Sequence, residues 1–270
     1  MNKNVLLIND LAGYGKVALS VMIPVLSHME VEVNNLPTAL VSNTLDYGKF
    51  DILDTTQYMK NTLKVWEELN FHYDAIATGF IVNEEQAHLI QEYCQKESEN
   101  GVIVLCDPIM ADEGKLYPGI QQETVNTMRT LISCADYIVP NFTEATLLTN
   151  ELYSTNPSKE HIVRIIDKLR TIGSKSIVIT SVEQNGKHSV WCYDHKENRY
   201  FDLPYENIPV RLPGTGDIFS SVLLGSLANG KSLENSVQEA MNIVKKMIQK
   251  HKDTKDPYKG IPIERSLKEI

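Results

Sequence analysis

The sequence predicts an α/β fold, with a central, mostly parallel sheet flanked on both faces by helices and a single domain over 1–270. Three observations predict it. Short β-branched runs recur, and those at 4–9, 74–78, 102–106 and 176–180 are apolar almost throughout rather than alternating, as strands covered on both faces are. Stretches of helical periodicity lie between them, at lengths that suit parallel crossovers. After Thr180 the texture changes to two short runs around a polar segment, a late hairpin rather than another crossover.

Taken in order, the strand at 4–9 leads into a helix at 17–29. The segment from Asp10 to Asp74 is long enough for a small flap and a crossover helix at 56–70, and not for a separate lid domain. A strand at 74–78 precedes a helix at 84–96, where Asn83 followed by Glu84, Glu85 and Gln86 reads as an N-cap with an acidic first turn. Strands at 102–106, 137–139 and 176–180 alternate with helices at 120–133, 143–148 and 159–172. The runs 190–193 and 199–203 flank the polar segment 194–198 as a hairpin. Helices at 214–227 and 232–249 close the chain, with Gly230 stopping the first of them, and the tail from His251 is irregular until a short last turn.

Composition sets outer limits. Apolar residues make up 42% and charged residues 23%, an ordinary globular balance. A formal net charge of -9 argues against a nucleic-acid partner, because an acidic surface repels a phosphate backbone. No stretch approaches the ~18 apolar residues of a membrane helix, and the apolar run at 5–8 is too short for a signal segment, so no membrane partner and a cytoplasmic location are expected. Cys94, Cys106, Cys134 and Cys192 lack metal-ligand spacing and read as free thiols in a reducing compartment.

In open α/β sheets ligands bind beyond the carboxyl ends of the strands, and those ends here are rich in polar and glycine residues. The sharpest segment is Gly214-Thr215-Gly216-Asp217, just before a long helical pattern. Glycines let successive amides converge, and with the helix start they form a site for a transferring phosphoryl group. Asp217, in the first turn, is placed to take a proton from a hydroxyl. A tight turn with a favourable first-turn acid is the plainer alternative, and the motif alone leaves both open. Asp107, Asp112, Glu144 and Asp217 stand at different strand ends, an arrangement whose repulsion a hard cation such as Mg²⁺ relieves. The sequence has no GxGxxG fingerprint, GxxxxGK[ST] loop, HExxH or GxSxG.

Together these segments resemble the ribokinase-like superfamily, and within it the vitamin B6 kinases. The resemblance rests on the loop from Val104 through Asp107-Pro108-Ile109-Met110-Ala111-Asp112 to Lys115-Leu116-Tyr117. It rests equally on Pro140-Asn141-Phe142-Thr143-Glu144-Ala145, on Val178-Ile179-Thr180-Ser181 and on Gly214-Thr215-Gly216-Asp217. Leu36-Pro37-Thr38, Ser42-Asn43 and Tyr47-Gly48 are similar to the flap of pyridoxal kinases. The matching order runs from Val5 to about Val244.

The resemblance implies a ribokinase-like three-layer sandwich that phosphorylates the hydroxymethyl group of pyridoxal, pyridoxine or pyridoxamine with ATP and Mg²⁺, with a monovalent cation such as K⁺ as a further expectation. It implies Asp217 as the base and Gly214, Thr215 and Gly216 as the anion hole. Asp107, Asn141, Glu144, Thr180, Ser181, Val210, Leu212 and Asn242 would serve the nucleotide, and Asp107, Asp112 and Glu144 the metal. Asp10, Thr38, Thr44, Tyr47 and Phe80 would meet the acceptor, and a homodimer is expected. The chain departs from the pattern at Asp10, where serine is common, at Thr44-Leu45, where His-Thr is common, and at Val139, where threonine is common. The rival readings are a hydroxymethylpyrimidine kinase of thiamine synthesis and a non-catalytic ligand-binding regulator on the same scaffold.

Overall fold

The computed structural model describes residues 2–117 and 120–270. In chain order it builds β1 (Asn4–Tyr14), α1 (Leu19–His28), β2 (Glu32–Asn43), β3 (Ile52–Asp54), α2 (Thr56–Glu68) and β4 (Ala75–Thr78). Next come α3 (Glu84–Glu99), β5 (Ile103–Cys106), β6 (Ala111–Asp112), β7 (Lys115–Leu116), α4 (Glu123–Ile132), β8 (Tyr137–Ile138), α5 (Phe142–Thr149) and α6 (Lys159–Ile172). The chain closes with β9 (Ser176–Gln184), β10 (Lys187–Asp194), β11 (Arg199–Tyr205), α7 (Thr215–Ala228) and α8 (Leu233–His251). It gathers into two compact units, Met1–Val82 with Ile208–Ile270, and Asn83–Asn207.

The first unit has the strand order β4-β1-β2-β3. β1 pairs in parallel with both β4 and β2, and only the short β3 runs antiparallel. Val5, Leu6, Leu7 and Ile8 are fully buried, which is why their stretch is apolar on both faces. Beneath them lies α7, buried along nearly its whole length and packed on α1 and α8, so it carries apolar residues all round instead of a stripe.

β2 is longer than expected and takes in most of the predicted flap: the strand covers 32–43, and the flap shrinks to the turn Leu45–Tyr47 with residues 48–51. Pro37 and the two asparagines at 34 and 35 obscure the strand in the sequence. A proline is tolerated where the ladder is irregular, and the register with β1 slips between Asn9 and Leu11, next to the pairing of Asn9 with Pro37.

In the second unit the order is β11-β10-β9-β8-β5, parallel from β5 to β9 and antiparallel through the late hairpin. β6 and β7 form a separate two-residue hairpin. Glu113 and Gly114 at its turn both have positive φ (49° and 79°), the backbone a tight two-residue hairpin demands. The expected helix at 120–133 is present as α4, beginning at Glu123. Among the described residues the four cysteines are free, and no helix is long and apolar enough to cross a membrane.

Candidate active site

In the first unit the carboxyl end of β1 and the start of α7 bring two acids together. α7 begins after Gly214, whose φ of 83° is left-handed and whose added Cβ would lie 2.1 Å from the Lys16 carbonyl oxygen. Only glycine closes the chain there. At Gly216 an added Cβ would meet nothing within 4 Å, so the first-turn amides look onto open space. These amides have no intrahelical acceptor, which makes the helix start an anion site.

Asp217 follows in the same turn and is 8% exposed. Burial pushes its carboxyl up to about 6, against the Ala18 amide and the Asn9 side chain, both of which hydrogen-bond to it. Ala18 itself has φ 49°, a strained position for a residue with a side chain, at the turn into α1. Asp10 is 9% exposed, and burial followed by the charge of Asp217 lifts it to about 7. The two carboxyls titrate as a pair.

Phe80 and Thr38 sit beside this pair through Asn9. The Phe80 amide donates to Asn9 Oδ1 at 2.8 Å, and the Thr38 hydroxyl donates to the Phe80 carbonyl at 2.8 Å. Thr38 is fully buried inside β2, so its hydroxyl holds Phe80 in place and is not presented to an acceptor. The Thr44 hydroxyl is likewise taken up, donating to the Tyr258 carbonyl at 2.7 Å.

Tyr47 lies in the turn after β2, with its hydroxyl 2.6 Å from Asp256 Oδ2 and its ring against those of Tyr14 and Tyr258. The C-terminal segment thus straps the flap. The Lys16 amide donates to the Lys259 carbonyl at 2.8 Å, so the same strap braces the turn under Gly214. The sequence signals missed this strap, since a tail rich in Lys, Asp and Pro carries no periodic pattern. Val210 and Leu212 lie in the segment leading into α7, where Leu212 is buried and its carbonyl accepts from the Thr215 hydroxyl at 3.2 Å. Asn242 is exposed on α8, accepting from Gln238 at 3.2 Å, and no bond joins it to Val210 or Leu212.

In the second unit Glu144 sits at the third position of α5. Its Oε2 accepts from the Asn141 amide at 2.9 Å while Asn141 Oδ1 accepts from the Glu144 amide at 3.0 Å, a reciprocal capping box. Glu144 Oε1 accepts from the amides of Met110 and Ala111, at 3.0 and 3.3 Å. Asn141 Nδ2 donates to the Ala111 carbonyl at 2.7 Å. Burial and the neighbouring charge of Asp107 push the Glu144 carboxyl up, against the amides that favour its ionised form.

Both residues therefore anchor the 107–112 loop to the start of α5, and the expectation that they meet phosphate or metal directly is revised on that ground. Asp107 and Asp112 remain on the loop they hold. Among the described residues no three His, Cys, Asp or Glu side chains are grouped to hold a metal ion. Mg²⁺ commonly takes one or two carboxylates and completes its shell with water and phosphate oxygens, and a pair of loop aspartates suits that mode. Thr180 bridges to Asn141 at the end of β9, and Ser181 follows with φ 58° beside the Tyr205 hydroxyl.

Residues 25–261 match the model of a family described as phosphomethylpyrimidine kinase. A Bacteroides thetaiotaomicron protein crystallised with pyridoxal, and provisionally called a phosphomethylpyrimidine kinase, is similar with 33% identity and a TM-score of 0.94 over 99% of this chain and 95% of its own. A pyridoxal kinase from Lactobacillus plantarum is similar with 27% identity and a TM-score of 0.87, over 98% and 95% of the two chains. A pyridoxal kinase of Dictyostelium discoideum is 27% identical over 97% of this chain and 90% of its own. The ribokinase-like architecture that the sequence motifs implied is the one these neighbours share.

Proposed function

The chain belongs to the phosphomethylpyrimidine kinase family and is an ATP-dependent kinase, and from that premise we propose that its acceptor is the hydroxymethyl group of a vitamin B6 vitamer. The observation that carries the acceptor class is the near-complete likeness to a protein crystallised with pyridoxal. The chemistry is supported by Asp217, a buried carboxylate in the first turn of a helix whose start faces open space.

Asp217 takes the proton of the hydroxymethyl oxygen as that oxygen attacks phosphorus. The amides of Thr215, Gly216 and Asp217 hold the negative charge of the migrating group, which needs alignment and charge neutralisation more than covalent help. When bound, ATP with Mg²⁺ supplies the phosphoryl group and neutralises its charge. Thr180, Ser181, Val210 and Leu212 would hold the nucleotide, and Asp107 and Asp112 the cation. Asp10 faces the acceptor ring as a second acid, suited to a protonated ring nitrogen or amine. The Tyr47 turn closes over the ring and excludes water. A homodimer belongs to the same reading, and light scattering of the purified chain reads it.

The deciding experiment measures ADP release with Mg-ATP against pyridoxal, pyridoxine, pyridoxamine and hydroxymethylpyrimidine, with Na⁺ or K⁺ as the salt. Turnover with the pyridines and little with the pyrimidine is expected. Turnover with hydroxymethylpyrimidine alone would establish the second reading, which the family's own description favours. ATP left unconsumed with every acceptor would point to a ligand-binding regulator, against which the intact Gly214-Thr215-Gly216-Asp217 element stands.

A further inference from the structure

We propose that Asn9 is the positioning residue of the catalytic base, holding the Asp217 carboxylate through a side-chain amide whose orientation the backbone fixes. Asn9 is 2% exposed at the point where β1 slips register. Its Oδ1 accepts from two backbone amides, Asp10 at 2.9 Å and Phe80 at 2.8 Å. With both lone pairs of that oxygen engaged, the amide cannot flip, and Nδ2 must face the other way. There it lies 3.4 Å from Met22 Sδ, a weak acceptor, and serves as hydrogen-bond donor to the Asp217 carboxylate.

Gly79 supplies an independent sign that the placement is built. An added Cβ at 79 would lie 2.5 Å from Asn9 Cγ and Nδ2, so the side chain occupies the space a larger residue would need. Gly79 is also held by its own amide, which donates to the Ile8 carbonyl at 2.9 Å. One side chain therefore ties three strand and helix ends to the base: β1 at Asp10, β4 at Gly79 and Phe80, and α7 at Asp217.

A donor on a buried carboxylate favours its ionised, proton-accepting form. Asn9 thus opposes both burial and Asp10. The charged group facing Asp217 is Asp10 of β1. β4 carries no charged residue, and α1 offers the Ala18 amide, with its one titratable residue, His28, at its far end. The Glu239 carboxylate of α8 is held by Ser226 and Lys231 at the opposite end of α7, and Lys16 near Gly214 is paired with Glu264.

The kinetic consequence rests on the kinase reading above, so the test has a readout that does not. Aspartate carboxyl ¹³C resonances are titrated in the full chain, with Asp217→Asn assigning the signal, for the unaltered protein, Asn9→Ala and Gly79→Ala. Gly79→Ala displaces the Asn9 amide without altering its chemistry, and it stands in should Asn9→Ala not fold. The Asp217 midpoint is expected to rise by about one pH unit in both variants. The acid limb of kcat should move in the same direction, with the KM for Mg-ATP unchanged. A midpoint that stays in place in a folded variant overturns the proposal. If the unaltered chain turns over no acceptor, the function reading falls and the carboxyl titration alone decides the role of Asn9.

Discussion

Asp217 and Glu144 are both buried acids in the first turn of a helix, and they have opposite fates. Glu144 is met by three backbone amides and cannot move without losing them. Asp217 is opposed by one backbone amide and one side chain, and it stands next to a glycine with open space around it. Burial raises the pKa of both. What separates a reactive carboxylate from an anchoring one is therefore the number of donors already on it and the room left beside it, not its burial.

Replacing each acid by its amide breaks that comparison most sharply. Asp217→Asn should lower kcat by about 10²–10⁴-fold, with ADP affinity by calorimetry retained and thermal stability unchanged or raised, since a costly buried charge is removed. Near-normal kcat in this variant would sink the base assignment. Glu144→Gln turns an acceptor into a partial donor aimed at backbone N–H groups, and should cost about 2–4 kcal/mol of stability in a denaturant melt. If Glu144→Gln melts like the unaltered protein while kcat collapses, Glu144 acts on the phosphates or the metal after all.

The glycines sharpen the same contrast. Gly214→Ala puts a Cβ into the Lys16 carbonyl at a left-handed φ and should impair folding, read as loss of soluble protein. Gly216→Ala meets no protein atom, so the fold should persist with a melting temperature equal or slightly higher, alanine being the better helix former. Its methyl enters the anion site instead, so kcat should fall about tenfold or more. Equal damage to stability from both substitutions would mean that the open space beside Gly216 does not persist in solution.

The base was legible in the sequence because its determinants are contiguous: two glycines, a threonine and an acid within four residues, ahead of a long apolar helix. The capping box at Asn141 and Glu144 was equally local, yet the family resemblance drew both toward the nucleotide. That their side chains are taken up by Met110 and Ala111, some thirty residues earlier, is a tertiary fact. Asn9 was illegible for the same reason, since its partners Gly79 and Phe80 lie about seventy residues away. The long parallel strands were read from their apolar runs. β2 was read as flap because a proline and paired asparagines break the local pattern, and only the irregular register with β1 accommodates them.

Asp10 tests whether the two carboxyls act as a pair. Its pKa is raised, so the folded state binds its proton more tightly than the unfolded state does, and stability falls as pH rises from about 4 through about 7. Asp10→Asn removes that penalty. The variant should gain about 1–3 kcal/mol at pH 8, with the gain shrinking toward pH 5. The acid limb of kcat, expected near 6 in the unaltered protein, should move to lower pH because Asp217 loses its repelling neighbour. A limb that does not move would show that the two acids titrate independently.

The smallest effect is expected where the flap meets the C-terminal strap. Tyr47→Phe keeps the ring between Tyr14 and Tyr258 and removes only the hydroxyl that reaches Asp256. Bonds of this kind at a partly exposed site contribute little to global stability, so the melting temperature should hold. Their loss loosens the closed form of the turn, and the ring of the acceptor is what that form covers. The KM for the acceptor should then rise about two- to fivefold with kcat nearly unchanged, the pattern of lost uniform binding. The opposite pattern, a fall in kcat at constant KM, would place the Tyr47 hydroxyl at the reacting atoms and leave the strap no part in holding the acceptor.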